Sequence, residues 1–534
     1  VRKKILSLYK LEILGIAITL VVTSCGSSRT AELVIANSSE PETLDPALIT
    51  AQADGRIASA LFEGLLMRDP SGALVPGVAK TWEVSPDGLT YRFYLRNDAR
   101  WSDGKQVVAK DFVDSWRRAL SPSTGSKYVD LTLYHIRGAK EFHQGETQDF
   151  RSVAVRALAD DVLEVQLLQH TPYFLDLCAF VTMFPVRVDL IENPDQGDWM
   201  RPGKLVSNGA YVLESWRIND RIRLRANPYY WNRENVQMKL VDILPIQSAT
   251  TALNFYLSGM VDVLPDKSLV PTTLLDVLRK RPDFHSAPIL ATYFFRINVT
   301  RPPFDNKLVR QALALALDRE FIVRQITRAG ELPTGSLVPP GLSGYDPPVG
   351  LLFKPDAART LLAQAGYPNG RGFPIVELLY NPSEINDAIA EAVQSMWSRE
   401  LGLTVELRRQ EFRTYLSTMS ELNYTVARSS WIGDYADPNT FLGCFHSSSG
   451  NNRTGYNNLE YDTLLEKAAN ELNSTKRMQL LRTAEEILVE KDVPIIPVFH
   501  FVTIKMFDPK RFTGVGMNLL DDSPIQYIRR LHSH

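Results

Sequence analysis

The 534-residue chain is long enough to bury several cores, and length alone suggests about three domains. Its 59 Lys and Arg against 61 Asp and Glu leave a formal net charge of −2 with no long charge run, which argues against nucleic acid as a partner. The three cysteines (Cys25, Cys178, Cys444) and eight scattered histidines offer no closely spaced metal-ligand set and no CxxC dithiol.

Taken in chain order, the first element reads as an address. Arg2, Lys3, Lys4 and Lys10 precede the apolar stretch Ile13–Val22, ten residues long, whereas a spanning helix needs about 20. Residues 1–24 are therefore expected to be a secretory signal peptide. Val22-Thr23-Ser24-Cys25 resembles a bacterial lipobox, which implies lipid on Cys25 and cleavage before it. Gly26-Ser27-Ser28 would then be a flexible tether, and the body would work outside the cytoplasm, anchored to the membrane but not spanning it.

Thr90–Leu95 alternates as a strand and enters a turn at Asn97-Asp98. Over 109–120, Phe112, Trp116 and Ala119/Leu120 recur at helical spacing. Cys178, in the apolar run 175–181, reads as a small buried hydrophobe. With Cys25 lipidated, Cys178 and Cys444 are the one pair left for a disulfide, and whether their geometry permits it stays open. Leu308, Val309, Ala312, Leu313, Ala316 and Leu317 mark a helix, and Asp318 is expected to cap another with Phe321, Ile322 and Ile326 inside. The Pro- and Gly-rich region 332–355 reads as a surface excursion within one domain. Ile385, Ile389, Val393, Met396 and Trp397 predict a helix stopped by Gly402, followed by a strand over 403–407. Helices interleaved with short strands argue for an α/β fold with covered sheets.

No nucleophile elbow, HExxH, phosphate loop or dinucleotide fingerprint occurs, so an enzyme reading has no positive support. Nine stretches do have a common meaning. They are 39–46 (SEPETLDP), 61–65 (LFEGL), 76–79 (PGVA) with Trp82, 95–104 (LRNDARWSDG), 109–112 (AKDF), 207–211 (SNGAY), 227–231 (NPYYW), 309–312 (VRQA) leading to Leu317-Asp318-Arg319, and 431–438 (WIGDYADP). Together, and in order, they resemble the periplasmic oligopeptide-binding protein family, the solute receptors of peptide ABC importers.

The resemblance implies a two-lobed periplasmic binding protein of the larger three-domain type, with ligand buried between lobes that close over it. It places lobe one at 25–62, 188–290 and 503–534, an inserted domain at 63–187 and lobe two at 291–502, with crossovers near Leu290 and Val502. It implies a monomer that carries an oligopeptide to an inner-membrane permease, with no cofactor, no metal and no catalysis.

A receptor for peptides of many sequences must read an ammonium, a carboxylate and a backbone. By the family's pattern, Asp434 takes the ligand ammonium, although a turn aspartate before Asp437-Pro438 is the alternative. Ser430 and Ile432, alternating about Trp431, offer main-chain groups to the ligand while Trp431 walls a side-chain pocket. Tyr128 matches a tyrosine that contacts ligand from the inserted domain, and Arg428 an arginine near the ligand's carboxylate end; for each, a merely structural role is about as well supported. Departures fall at Phe412, where the family has a tryptophan, and at Asn386 and Thr327, where it has a His and a Lys that serve ligand carboxylates. Arg296 replaces an acid, and Ala291 and Ile432 replace a cysteine pair.

Overall fold

The computed structural model describes residues 31–193 and 197–531. The expected signal peptide and Cys25 lie outside them. Three sheets organise these residues. In the first, Leu33–Asn37 pairs in parallel with Leu240–Pro245, which continues antiparallel to Arg221–Ala226 and then Tyr211–Arg217. The second is antiparallel throughout, in the order Ala79–Val84, Thr90–Leu95, Val162–Gln166, Val155–Ala159. The third has six strands in the order Leu332–Pro333, Ile495–Met506, Phe284–Ile297, Val426–Ile432, Val376–Tyr380, Val405–Arg409.

Two long strands connect the first sheet's surroundings to the third sheet. Leu264 and Met506 exchange main-chain hydrogen bonds of 2.9 and 3.0 Å, and neighbouring Val263 bridges Ile35 of the first sheet. From there Ile495–Met506 runs antiparallel to Phe284–Ile297, but the ladder is interrupted between Pro288 and Thr292, opposite Val502 and His500. A strand pair that loses its register at one point can bend there with little disturbance of either sheet.

Local sequence explains most elements. The helix Ala109–Leu120 buries Phe112, Trp116, Ala119 and Leu120, the one face that helical spacing brings together. Asp111 Oδ2 accepts from the Val108 N–H at 2.9 Å and closes its first turn. The helix Glu384–Leu401 ends at Gly402, whose φ of 69° is the left-handed conformation a C-terminal glycine adopts freely. The strand after it is Val405–Arg409, two residues beyond the expected start.

Two expectations need correction. Asp318 does cap its helix, accepting from the Phe321 N–H at 3.0 Å, but Phe321 is 47% exposed. Ile322 is buried as expected, and where the segment widens into a π-helix over Ile322–Thr327 it is Val323, not Phe321, that turns inward beside it. The region 332–355 is not a surface excursion: Leu337 and Val338 are fully buried, and their N–H groups donate to Glu485 Oε1 at 2.7 and 2.8 Å. That contact is long-range, so no local pattern announced it. Cys178 is buried as expected, and the pairing left open is not made: Cys178 and Cys444 are both free thiols and belong to separate cores.

Candidate ligand-binding site

The strand Val426–Ile432 is the spine of the site. One edge pairs along its length with Phe284–Ile297, in register from Ile432 opposite Ala291 to Val426 opposite Ile297. The other edge pairs with Val376–Tyr380 only at Val426 and Ala427. The Gly433 N–H donates to Leu290 O at 2.7 Å. Antiparallel alternation therefore aims the main-chain groups of 429, 431 and 433 at the paired edge, and those of 428, 430 and 432 at the other. Arg428 O accepts from the Tyr415 hydroxyl. Ser430 and Ile432 thus lie on an edge where no strand of the described residues pairs with them.

Gly433 turns the chain out of this strand. A Cβ there would lie 3.0 Å from Thr440 Cγ2 and 3.2 Å from the Leu290 Cβ, so a larger residue would push these neighbours back by a few tenths of an ångström. Asp434 follows at once, its N–H donating to Thr440 Oγ1 at 3.0 Å. Its half-buried carboxylate has no hydrogen bond or ion pair among the described residues. Burial, and secondarily the charge of Asp130, pushes its pKa up to about 6. Asp434 in turn raises the Tyr128 phenol, after the larger effect of burial. Tyr128 stands on the opposite wall, its ring 5.4 Å from that of Phe180. Asp434, Tyr128 and Asp130 therefore share one electrostatic neighbourhood, although more than 300 residues separate them in sequence.

The remaining candidates spread along the strand. Trp431 is half-buried, and its Nε1–H is buried without a partner among the described residues. Ile432 is 69% exposed and Phe412 54% exposed. Phe412 opens the helix Phe412–Ser420, which Glu411 caps and which Tyr415 ties to the strand. The Arg428 guanidinium lies 4.7 Å from the Tyr293 ring centre and reaches Asn381 Oδ1 at 3.4 Å, with no carboxylate at ion-pair distance among the described residues. Asn386 is buried and already engaged: it accepts from the Tyr293 hydroxyl at 3.3 Å and donates to Asn381 O at 3.0 Å. It meets Arg428 only through those two neighbours.

Sequence reasoning missed Asp130, Asn381, Tyr173 and Tyr415. Asp130 follows Tyr128 by two positions, a faint signal; the others are visible only once the elements pack. Tyr435, beside Asp434, is buried in the core built around the second sheet and stacks on Tyr173, with ring centres 4.0 Å apart at 12°. His170 Nδ1 shares a hydrogen bond of 2.8 Å with Ala469 O nearby. These contacts hold the Asp434 segment against the opposite wall along one margin of the site.

A family model described as "Bacterial extracellular solute-binding proteins, family 5 Middle" matches residues 73–453. The chain belongs to this family. Among its relatives is the Escherichia coli (strain K12) periplasmic oligopeptide-binding protein OppA, 36% identical over 509 residues, which span 94% of this chain and 92% of that protein. Among solved structures, the MppA murein tripeptide binding protein in its unliganded open form superposes with a TM-score of 0.84 at 32% identity, covering 93% of this chain and 97% of that one. Haemophilus influenzae OppA in complex with the peptide RPPGFSPFR gives 0.72 at 30% identity, covering 94% and 99%. The family has the two-lobed binding fold, and the conformation described here stands nearer to the open relative than to the peptide complex.

Proposed function

We propose that this protein is an extracytoplasmic receptor that captures oligopeptides for an ABC importer, binds without catalysis, and closes its lobes over the ligand. The observation that carries the reading is a half-buried carboxylate with no cation beside it among the described residues, Asp434, at the end of a strand whose outer edge is open. A peptide satisfies both at once. Its ammonium supplies the missing charge, and its backbone can add to the edge at Ser430 and Ile432. Tyr128 closes on the amino end from the other lobe, Trp431 and Phe412 wall side-chain pockets, and Arg428 meets a ligand carboxylate with Asn386 and Asn381 behind it.

In the same reading, lipid on Cys25 anchors a monomeric body beside the membrane, an inner-membrane permease receives the peptide, and no metal or cofactor takes part. The lobes divide at the boundaries expected from the resemblance, with bending where the Phe284–Ile297 and Ile495–Met506 ladder breaks. Among the described residues, no helix is long and apolar enough to cross a membrane. Mass spectrometry of ligand co-purified with the protein tests the proposal. Short peptides with free amino termini are expected. A cleft that carries only non-peptide ligands, in a protein that takes up nothing from a peptide mixture, would refute it, and cleavage of that mixture would revive a hydrolase.

A further inference from the structure

Arg296 is 4% exposed and stands in the middle of the third sheet. Its Nε donates to Ser429 Oγ at 3.1 Å, and its Nη1 donates to Asn451 O and Asn452 O at 2.9 and 2.6 Å. The rings of Phe294 and Phe445 flank it, with centres 5.2 and 5.0 Å from the guanidinium carbon. None of these partners is an anion. Neutral donors would serve the carbonyls equally well, whereas a buried cation normally has a carboxylate beside it.

The turn that Arg296 holds delivers a second arginine. Arg453 has a φ of 42°, a left-handed conformation uncommon for a side chain of this size. The Tyr424 hydroxyl, donating to Arg453 O, holds it there. The Arg453 Nε–H is buried without a partner among the described residues, although its residue is only half-buried. No carboxylate stands within ion-pair distance of either guanidinium among the described residues, and the two charges act on each other and on the Tyr415 and Tyr424 hydroxyls. Strained backbone and unsatisfied buried donors concentrate at binding sites.

These groups share a face with the site already described. Ser429 and Trp431 project to the same side of the strand, and Trp431 adds a second buried N–H without a partner among the described residues. The Cys444 thiol feels Arg296 and Asp434 together. This face therefore runs from a lone carboxylate, past an indole, to two uncompensated arginines. We propose that Arg296 and Arg453 form a specificity pocket for an anionic side chain, Asp or Glu, of the bound peptide. The inference rests on Asp434 holding the ligand ammonium, since that sets the ligand's direction. An extended ligand advances about 3.3 Å per residue, as the strand does, so Ser429, five positions before Asp434, lies alongside about the fourth or fifth ligand residue.

The test is calorimetry on the wild-type protein with Ala-Ala-Ala-Glu-Ala-Ala, Ala-Ala-Ala-Gln-Ala-Ala and Ala-Ala-Ala-Lys-Ala-Ala, and with the same substitutions at the fifth position. Glutamate is expected to bind about tenfold or more tighter than glutamine at one of the two positions, with lysine weakest. Arg453→Gln should bring the Glu-to-Gln ratio close to one, and Arg296→Gln, which retains donors for the Asn451 and Asn452 carbonyls, should reduce it. Equal binding of Glu and Gln, or a preference for Lys, overturns the pocket while leaving peptide capture intact. Failure of every peptide to bind overturns peptide capture itself, and the pocket with it.

Discussion

Replacing Asp434 by asparagine should move affinity and stability in opposite directions. In the ligand-free protein the carboxylate is partly desolvated and faces Asp130, with no cation beside it among the described residues; burial first and Asp130 second raise its pKa to about 6. A carboxyl raised above its unfolded value favours folding at low pH, and that contribution is lost as pH rises from about 4 to 6. The shift corresponds to at most about 3 kcal/mol against the folded state at neutral pH, and to about 1–2 kcal/mol after screening of a half-buried group. Asp434→Asn should therefore unfold at a higher temperature than wild type at pH 7.5. Affinity for a free-amine tripeptide should nevertheless fall by about 2–4 kcal/mol, or roughly thirty- to seven-hundred-fold, because the ligand ammonium is enclosed without a counter-charge. Ammonium binding favours the ionised carboxyl, so wild-type Kd should rise about tenfold from pH 7 to pH 5 while the asparagine variant stays flat. Calorimetry across that range, with differential scanning calorimetry of the free proteins, measures both effects. A variant that binds normally, or a wild type that holds N-acetylated peptides as well as free ones, removes Asp434 from the site.

Other perturbations follow from the packing. Burial raises Glu63 and Glu485 each to about 7, so each holds a proton that the unfolded chain releases above about 4.5. The protein should lose thermal stability between pH 5 and 8, and Glu485→Gln should flatten that slope; a midpoint that climbs over this range would contradict the assignment. Arg477 and Asp437 form a buried bidentate pair at 2.6 and 2.8 Å. Arg477→Met should cost about 3–5 kcal/mol in chemical denaturation, with much of it recovered by also replacing Asp437 with leucine. Tyr173→Ala removes the stack on Tyr435, worth about 0.5–1.5 kcal/mol, and small-angle scattering of the ligand-free variant should show wider lobe separation. An unchanged scattering profile would mean that the stack does not restrain the lobes.

Much of this could be read from the chain because the causes are local. Phe112 and Trp116 are four residues apart, and one helical turn brings them to the same face whatever they pack against. Gly402 ends its helix because its backbone tolerates a positive φ, a property of the residue and not of its surroundings. The phrase Trp431-Ile432-Gly433-Asp434 carried a strand, a tight exit and a carboxylate in four letters, enough to nominate the spine of the site. Tertiary structure decided the rest. Glu485 draws the proline-rich 332–355 region inward through N–H groups nearly 150 residues away, and no periodicity records such a bond. The open edge beside Ser430 exists only because Val376–Tyr380 stops pairing after Ala427. Asp130 joins Asp434, and Arg296 goes without a carboxylate among the described residues, only once distant segments fold together. A residue's type and spacing determine what it can do alone, but charge compensation depends on every group within a few ångströms, and that neighbourhood is made by folding.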